Sequence, residues 1–212
     1  TASNNTGIGY NSLGQNTTGT QNVAVGSLAL STITSGANNV AVGYDAMGDT
    51  TTGVQNVAIG KDTLGKNTTG GYNTAVGQNA MRDHTTGNYN TVVGQDALRF
   101  NTTTSNHVAI GYGALGVNTS GVNNVAVGST ALDANTTGDR HVAVGIGALG
   151  NNTTGIRSTA VGASALSGNT TADYNVAMGY AALQSNTTGT QNVAIGSLTL
   201  DANTTADYNT AV

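Results

Sequence analysis

The chain has 212 residues, of which 31 are Gly and only 8% are charged, and it contains no Cys, Pro, Trp or Glu. A net charge of −4 gives no basic surface of the kind that nucleic-acid binding requires, and no apolar run approaches the roughly 20 residues of a membrane helix. We therefore expect no nucleic-acid partner and no membrane insertion in this segment.

One repeat of 17 residues accounts for the whole sequence. The repeated unit reads Asn-Val-Ala-Val-Gly, two variable residues, Ala-Leu, two variable residues, Asn-Thr-Thr-Gly and two more variable residues. We therefore predict that residues 1–212 form a single array of about 12.5 repeats, without a linker or a second domain. The repeat is marked by a glycine that recurs every 17 residues without insertion or deletion: Gly9, Gly26, Gly43, Gly60, Gly77, Gly94, Gly111, Gly128, Gly145, Gly162, Gly179 and Gly196.

The first element of each repeat is a short strand. The segment Asn-Val-Ala-Val is rich in β-branched residues, as strands are, and the Asn-Thr-Thr-Gly segment and the residues after Leu are turn signals. Helical repeats need about 33–47 residues, so a 17-residue unit is too short for them. The sequence predicts an all-β protein: a parallel β-solenoid, or β-roll, in which each repeat forms one turn, here called a rung.

Two slots of the repeat are predicted to form the core. Side chains alternate between the faces of a strand, and we assign the Val, Ile or Met before the repeat glycine to the interior, with the Asn and Ala slots on the other face. The fourth residue after the glycine is always Leu or Met and is also assigned to the interior. The predicted core ladder comprises Val25, Leu30, Val42, Met47, Ile59, Leu64, Val127 and Leu132.

The alanine slot two residues before the repeat glycine is almost as uniform, departing only at Gly7 and Val92. A solvent-facing slot would be expected to vary over so many copies, and each rung carries few large apolar residues. Chains with so small a core usually need oligomerisation. We therefore predict a homo-oligomeric fibre, with a trimer favoured, whose contact face contains Ala24, Ala41, Ala58, Ala75 and Ala126.

The segments Asn-Val-Ala-Val-Gly-Ser-Leu-Ala-Leu at 22–30 and Asn-Val-Ala-Ile-Gly-Lys-Asp-Thr-Leu at 56–64 resemble the head repeats of trimeric autotransporter adhesins. The chain is still more similar to Asn-Thr-Thr-Gly-rich stretches of phage tail-fibre-like proteins. The resemblance covers all rungs, and it implies a trimeric parallel β-roll in an extracellular fibre. It specifies an architecture far better than an activity.

A row of asparagines seven residues after the repeat glycine has two interpretations. Each Asn is followed by Thr-Thr or Thr-Ser and so forms a sequon for N-glycosylation. The favoured interpretation is a corner ladder, in which the Asn and Thr side chains bond the backbone of their own and neighbouring turns. The row consists of Asn16, Asn67, Asn101, Asn118, Asn135, Asn152, Asn169, Asn186 and Asn203, and Ile33, Thr50 and His84 interrupt it.

The remaining candidate residues are aromatic or titratable. Tyr72 and Tyr89 occupy the same slot in consecutive repeats, where they could stack and contact a sugar. His107 and His141 replace the repeat Asn two rungs apart, which is about 10 Å, too far to share a metal ion, so we interpret both as substitutes for Asn.

No pattern in the sequence predicts catalysis, a metal site or a cofactor. The acidic residues occupy scattered slots, and no Ser is set against a fixed His and Asp. The adjacent threonines of Asn-Thr-Thr do not give the two ranks on one face that ice binding uses, so ice binding is disfavoured. We expect a protein that is not an enzyme.

These features favour a structural function, as the shaft or spacer of an extracellular fibre on a virion or cell surface, either a phage tail fibre or a bacterial adhesin. One alternative is a subunit of a self-assembling, glycosylated extracellular filament, and another is a fibre surface that binds cell-surface glycans. Both ends of the sequence interrupt a rung without a polar cap, so we expect an uncapped fragment of a longer fibre.

Overall fold

The computed structural model describes all 212 residues, and the chain forms two compact units, Thr1–Asn106 and His107–Val212. The first unit contains strands β1–β6 and the second contains β7–β13, and neither contains a helix. The strands are Thr6–Ile8, Val23–Val25, Val40–Val42, Val57–Ile59, Thr74–Val76 and Thr91–Val93 in the first unit, and Val108–Ile110, Val125–Val127, Val142–Val144, Thr159–Val161, Val176–Met178, Val193–Ile195 and Thr210–Ala211 in the second.

Within each unit, every strand pairs in parallel with the next one, and the partner residue lies 17 positions further on. Val40 pairs with Val57 in the first unit, and Val125 pairs with Val142 in the second. Each unit is therefore a parallel β-solenoid with one repeat per rung, which confirms the predicted fold class and period.

The repeat glycine ends each strand in a backbone conformation that other residues rarely adopt. Gly26 has φ of +141°, and a Cβ atom added to it would overlap the carbonyl group of Gly43 in the next rung. Both the conformation and the close approach require glycine, and this explains why the slot never varies.

Two overlapping turns follow the strand. The N–H of Ala29 donates to the carbonyl of Gly26 at 3.4 Å, and the N–H of Ser31 donates to that of Leu28 at 3.2 Å. Leu28 and Leu30, the third residues of successive turns, have φ of 63° and 50°, as type II turns require. A left-handed conformation costs a non-glycine residue about 1–2 kcal/mol, and here the burial of Leu30 offsets that cost.

The core of each unit consists of small side chains and one row of large ones. Ala24 on the strand and Ala29 on the turn are fully buried, as are their counterparts in most other rungs. The Leu and Met row supplies the large side chains of this core, and its fully buried members are Leu30, Met47, Leu64, Met81, Leu98, Leu115, Leu132, Leu149, Leu166 and Leu183.

The predicted orientation of the strand is wrong. Val25, Val42 and Val127 are only half-buried, and Ile59 is 41% exposed. The strand faces inward through its Asn and Ala slots, because the buried Asn side chain bonds the neighbouring rungs, and alternation then turns the valines outward. Of the predicted core ladder, Leu30, Met47, Leu64 and Leu132 are interior residues.

The predicted oligomer face is corrected for the same reason. Its alanines have no exposed surface within the single chain, so another chain cannot contact them: Ala24, Ala41, Ala58, Ala75 and Ala126. Their uniformity reflects the narrow interior of the rung.

Candidate functional surfaces

In each of the two units, the outward side of the strands forms an apolar surface, here called the outer strip. It consists of the first and third residues of β1–β12, which are Val, Ile, Met or Thr throughout and include no charged residue. Several of the larger side chains are well exposed, including Ile110 at 38%, Ile195 at 40% and Met178 at 42%. Contiguous exposed apolar surface is typical of an interaction site.

The predicted corner ladder lies in the interior of the corners. The Nδ2 group of Asn135 donates to the carbonyl of Gly138 at 3.0 Å and to Oδ1 of Asn118, in the preceding rung, at 3.0 Å. Asn152 repeats both bonds with Gly155 and Asn135. The row, called the corner amide ladder, therefore satisfies the backbone of its own turn and the neighbouring amide.

Burial of this row contradicts N-glycosylation of the folded chain. The side chains with no exposed surface are Asn67, Asn101, Asn118, Asn135, Asn152, Asn169 and Asn186. The two end members, Asn16 and Asn203, are partly exposed and donate to the carbonyls of Gly19 and Ala206 at 3.2 and 3.1 Å. A glycan on a buried amide would require the corner to open.

A second row of asparagines, which the sequence analysis placed on the outer face, is buried in the core. The Nδ2 group of Asn39 donates to the carbonyl of Gly53 at 2.8 Å, and its Oδ1 accepts the backbone N–H of Asn56 at 3.0 Å. We call this row the inner amide ladder. In the sequence it is marked by a slot that is Asn in all but three repeats, where His107, His141 and Ser158 replace it. The Asn members are Asn5, Asn22, Asn39, Asn56, Asn73, Asn90, Asn124, Asn175, Asn192 and Asn209.

Histidines replace these amides and keep the same bonds. Nε2 of His141 lies 2.5 Å from the carbonyl of Gly155, and its Nδ1 accepts the backbone N–H of Ser158 at 3.2 Å. Nδ1 of His107 accepts the N–H of Asn124 at 3.3 Å. In the corner amide ladder, Nε2 of His84 lies 2.9 Å from the carbonyl of Gly87.

Burial disfavours the charged form of two of these imidazoles, His84 and His141. It lowers the pKa of His84 and of His141 below the ordinary value of 6.5, and hydrogen bonding opposes this effect at both sites. At His141 only the neutral ring with its proton on Nε2 can both donate to Gly155 and accept from Ser158. The three histidines therefore serve as structural bonding groups.

The first threonine of each Asn-Thr-Thr segment makes a third ladder along the corner. Oγ1 of Thr34 donates to the carbonyl of Thr51 at 3.1 Å, and Oγ1 of Thr136 donates to that of Thr153 at 3.0 Å. The same carbonyls accept backbone N–H groups. The hydroxyl thus bonds the next rung, which explains why the slot always carries a hydroxyl group.

The predicted tyrosine pair is stacked and accessible. The rings of Tyr72 and Tyr89 lie 5.0 Å apart with 19° between their planes, and the residues are 47% and 60% exposed. Tyr10, Tyr44, Tyr112 and Tyr180, which follow the repeat glycine, are also exposed.

The ion pairs lie between residues of the first unit, and other acidic side chains bond the backbone. Asp83 accepts from Arg82 at 2.8 Å and lies 2.7 Å from Lys66, and the hydrogen bond from Arg82 lowers the pKa of Asp83. Burial raises the pKa of Asp45, helped by the nearby Asp62. Asp139 bonds the backbone, its Oδ1 accepting the N–H of Val122 at 2.7 Å. No cluster of three or more His, Cys, Asp or Glu side chains is placed to hold a metal ion.

No helix of membrane-spanning length and hydropathy occurs in the structure. Comparison of the chain with protein-family models, with curated proteins and with solved structures finds no match.

Proposed function

We propose that this protein is a structural element of an extracellular fibre and that copies of the chain associate along the outer strip. The observation that carries the proposal is the combination of continuous bonding within each unit and an uncharged apolar surface along the strands. A phage tail fibre and a bacterial surface adhesin are the two settings that the repeat sequence favours. The protein would act through its stiffness, by holding another part of the fibre at a distance.

Continuous bonding supports the mechanical part of the proposal. Neighbouring rungs in a unit are joined by strand pairing, by both amide ladders and by the threonine ladder. Because each interior rung bonds both of its neighbours, bending or local opening must break several hydrogen bonds together. Breaking them leaves buried amides without partners, which costs free energy. Such an element is suited to a shaft.

The composition of the outer strip supports self-association. Because the strip is uncharged, two copies can face each other without like-charge repulsion, which would otherwise cost several kcal/mol. A partner whose side chains pack between those of the strip must carry rows of side chains at the same spacing as the strands, about 4.8 Å. A second copy of this chain meets that requirement, since identical side-chain rows interdigitate well.

The strip supplies part of the area that a stable interface buries, and the residues flanking it must supply the rest. A three-residue strand offers about 50 Å² from its length and spacing, so the six three-residue strands of each unit offer about 300 Å² before the corners are counted. Standard interfaces bury about 800 Å² per partner. Association of three chains, which we favour, would let each chain use the strip and the exposed tyrosines that follow the repeat glycine, Tyr10, Tyr44, Tyr112 and Tyr180.

Light scattering on the purified protein tests this proposal. We expect a mass of several chains, three being favoured, and dissociation by the quadruple variant Val57→Lys, Ile59→Lys, Val125→Lys and Val127→Lys, because packing would bury these charges. The circular dichroism spectrum should remain that of the wild type, since the four side chains point outward. A matched control carries Thr52→Lys, Thr69→Lys, Thr137→Lys and Thr154→Lys on an exposed corner and should keep the parent mass.

A monomeric parent chain would overturn self-association, and a variant that keeps the parent mass would show that the copies meet elsewhere. Light scattering that shows filaments growing end to end in both the parent and the lysine variant would also contradict association along the strip. Such growth would use the ends of the chain, which the four lysines do not change. Labelling of intact virions or cells with an antibody against the folded protein tests the extracellular setting. Signal only after lysis would contradict it.

A further inference from the structure

One exposed row of the repeat accepts a narrow set of residues. The slot five residues before the repeat glycine is exposed in all its copies, yet it holds only Asn, Gln, Tyr and Arg. These four side chains share a planar terminal group that can donate or accept hydrogen bonds. The row, here called the planar column, is present in each unit and consists of Asn4, Gln21, Asn38, Gln55, Tyr72, Tyr89 and Asn106 in the first and of Asn123, Arg140, Arg157, Tyr174, Gln191 and Tyr208 in the second.

Backbone conformation does not explain this choice. Every member of the planar column has a left-handed φ, between 54° and 63°. The slot two residues after the repeat glycine is also left-handed, and it holds Leu28, Thr130, Ser164 and Ala181 among others. A left-handed conformation in this fold therefore tolerates aliphatic and small side chains, which the planar column never uses.

Two pairs of planar groups in neighbouring rungs contact each other. Tyr72 and Tyr89 are stacked, and the guanidinium group of Arg157 lies 5.5 Å from the ring centre of Tyr174 and donates to its hydroxyl. Because neighbours occupy one another's faces, a ligand on the column would meet mainly ring edges, hydroxyls, amides and guanidinium groups. The surface suits a hydrogen-bonding ligand better than an apolar one.

A row of hydroxyl groups lies close to the column along the chain. The second residue after the corner Asn is Thr or Ser in every complete repeat and is exposed, as at Thr18 and Thr137. The first threonine of each pair uses its hydroxyl to bond the next rung, as Thr34 does with the carbonyl of Thr51. The hydroxyls of the second row do not make this bond. Thr18 is three residues from Gln21, so their Cα atoms are at most about 10 Å apart.

We propose that the planar column binds an extended neutral polysaccharide that runs along the rungs. A pyranose unit is about 5 Å long, close to the strand spacing of about 4.8 Å, so successive sugars can meet successive rungs. Sugar hydroxyls both donate and accept, which matches amide, phenol and guanidinium groups. The net charge of −4 disfavours a polyanion. This binding is additional to the structural role and does not depend on it.

Calorimetry with cellohexaose, chitohexaose, laminarin and mannan tests the proposal, with the matching disaccharides for comparison. We expect at least one of the four to bind the parent protein, at least ten times more tightly than its disaccharide, because a longer chain spans more rungs. The double variant Tyr72→Phe and Tyr89→Phe keeps both rings and removes both hydroxyls. It should weaken binding about tenfold.

The matched control is Tyr112→Phe with Tyr180→Phe, which removes two exposed hydroxyls from a different row. This control should bind like the parent protein, and circular dichroism should show both variants folded. Absence of binding to all four probes would overturn the proposal. Equal binding by the Tyr72 and Tyr89 variant, or an equal loss in the control, would also overturn it, because the column would then have no specific part in recognition.

Discussion

Oδ1 of Asn22 accepts two hydrogen bonds from Asn39 in the next rung, one from the backbone N–H at 3.0 Å and one from Nδ2 at 3.1 Å. Asn39 repeats the arrangement with Asn56 at the same two distances. All three residues are fully buried. A shift of one residue between rungs would leave these amides unpaired in the core, so the inner amide ladder fixes the 17-residue register.

Replacing one member of this ladder should destabilise the chain more than its size suggests. In Asn56→Ala, the N–H of Asn73 loses its acceptor and the carbonyl of Gly70 loses a donor, and both lie in the interior. We expect the free energy of unfolding to fall by about 1–3 kcal/mol, measured by chemical denaturation. Gln55→Ala, at the exposed neighbouring position, should change it by less than about 0.5 kcal/mol.

Serine should partly rescue this position, because Ser158 occupies the same slot and its Oγ accepts the N–H of Asn175 at 3.2 Å. The expected order of stability is therefore Asn56, Asn56→Ser and then Asn56→Ala. If alanine were as stable as asparagine, the ladder would have no part in holding the rungs together.

The buried histidines predict a loss of stability in mild acid. Burial lowers the folded-state pKa of His141 and of His84 below 6.5, whereas the unfolded chain titrates near 6.5. Below that pH the unfolded state binds more protons, so the free energy of unfolding falls as the pH drops towards the folded-state pKa. Protonation of Nδ1 in His141 would also remove the acceptor of the Ser158 N–H, and the nearby Asp139 and Asp173 only partly oppose the effect.

The double variant His84→Asn and His141→Asn restores the amide that most other rungs carry. We expect its unfolding free energy to depend less on pH between 7.5 and 5 than that of the parent, in thermal or chemical denaturation. The remaining slope belongs to the other titratable groups of the chain. Identical pH profiles of the parent and the double variant would show that these two imidazoles do not limit stability in acid.

The two kinds of left-handed glycine predict opposite tolerance to substitution. Gly128 has φ of +139° and approaches the carbonyl of Gly145, whereas Gly147 has φ of +64° and nothing within 4 Å of a Cβ atom placed on it. Gly128→Ala should lower the free energy of unfolding by about 1–3 kcal/mol or more, through strain and overlap. Gly147→Asn should leave it nearly unchanged, since Asn tolerates this conformation. Thermal denaturation compares the two, and equal effects would contradict the packing described for the repeat glycine.

The period of the repeat was enough to predict the fold. An unbroken 17-residue spacing, a β-branched segment of three residues and two turn segments leave few arrangements other than a parallel solenoid. The turn geometry was not predictable in the same way. Leu30 and its counterparts adopt a left-handed φ that leucine disfavours, and only the fixed spacing of the rungs imposes it.

The faces of the strand were assigned wrongly because uniformity does not distinguish an inward slot from an outward one. Alternation and the uniform apolar slot favour Val25 inside, with Ala24 and Asn22 outside. In the structure Asn22 and Ala24 are fully buried, and Val25 is half-buried. A polar side chain with a bonding partner in every rung can occupy a narrow core, and hydrophobicity alone does not reveal that partner.

Spin labelling tests most directly the central claim that each rung lies on the next with equivalent residues in register. The chain has no native cysteine, so nitroxides can be attached through Tyr72→Cys with Tyr89→Cys, one rung apart. The control pair, Gln55→Cys with Tyr89→Cys, lies two rungs apart. Spacings of about 4.8 Å and about 10 Å predict strong spin exchange in the first pair and only dipolar broadening in the second. Absence of exchange between positions 72 and 89, or equal coupling in both pairs, would contradict the 17-residue rung.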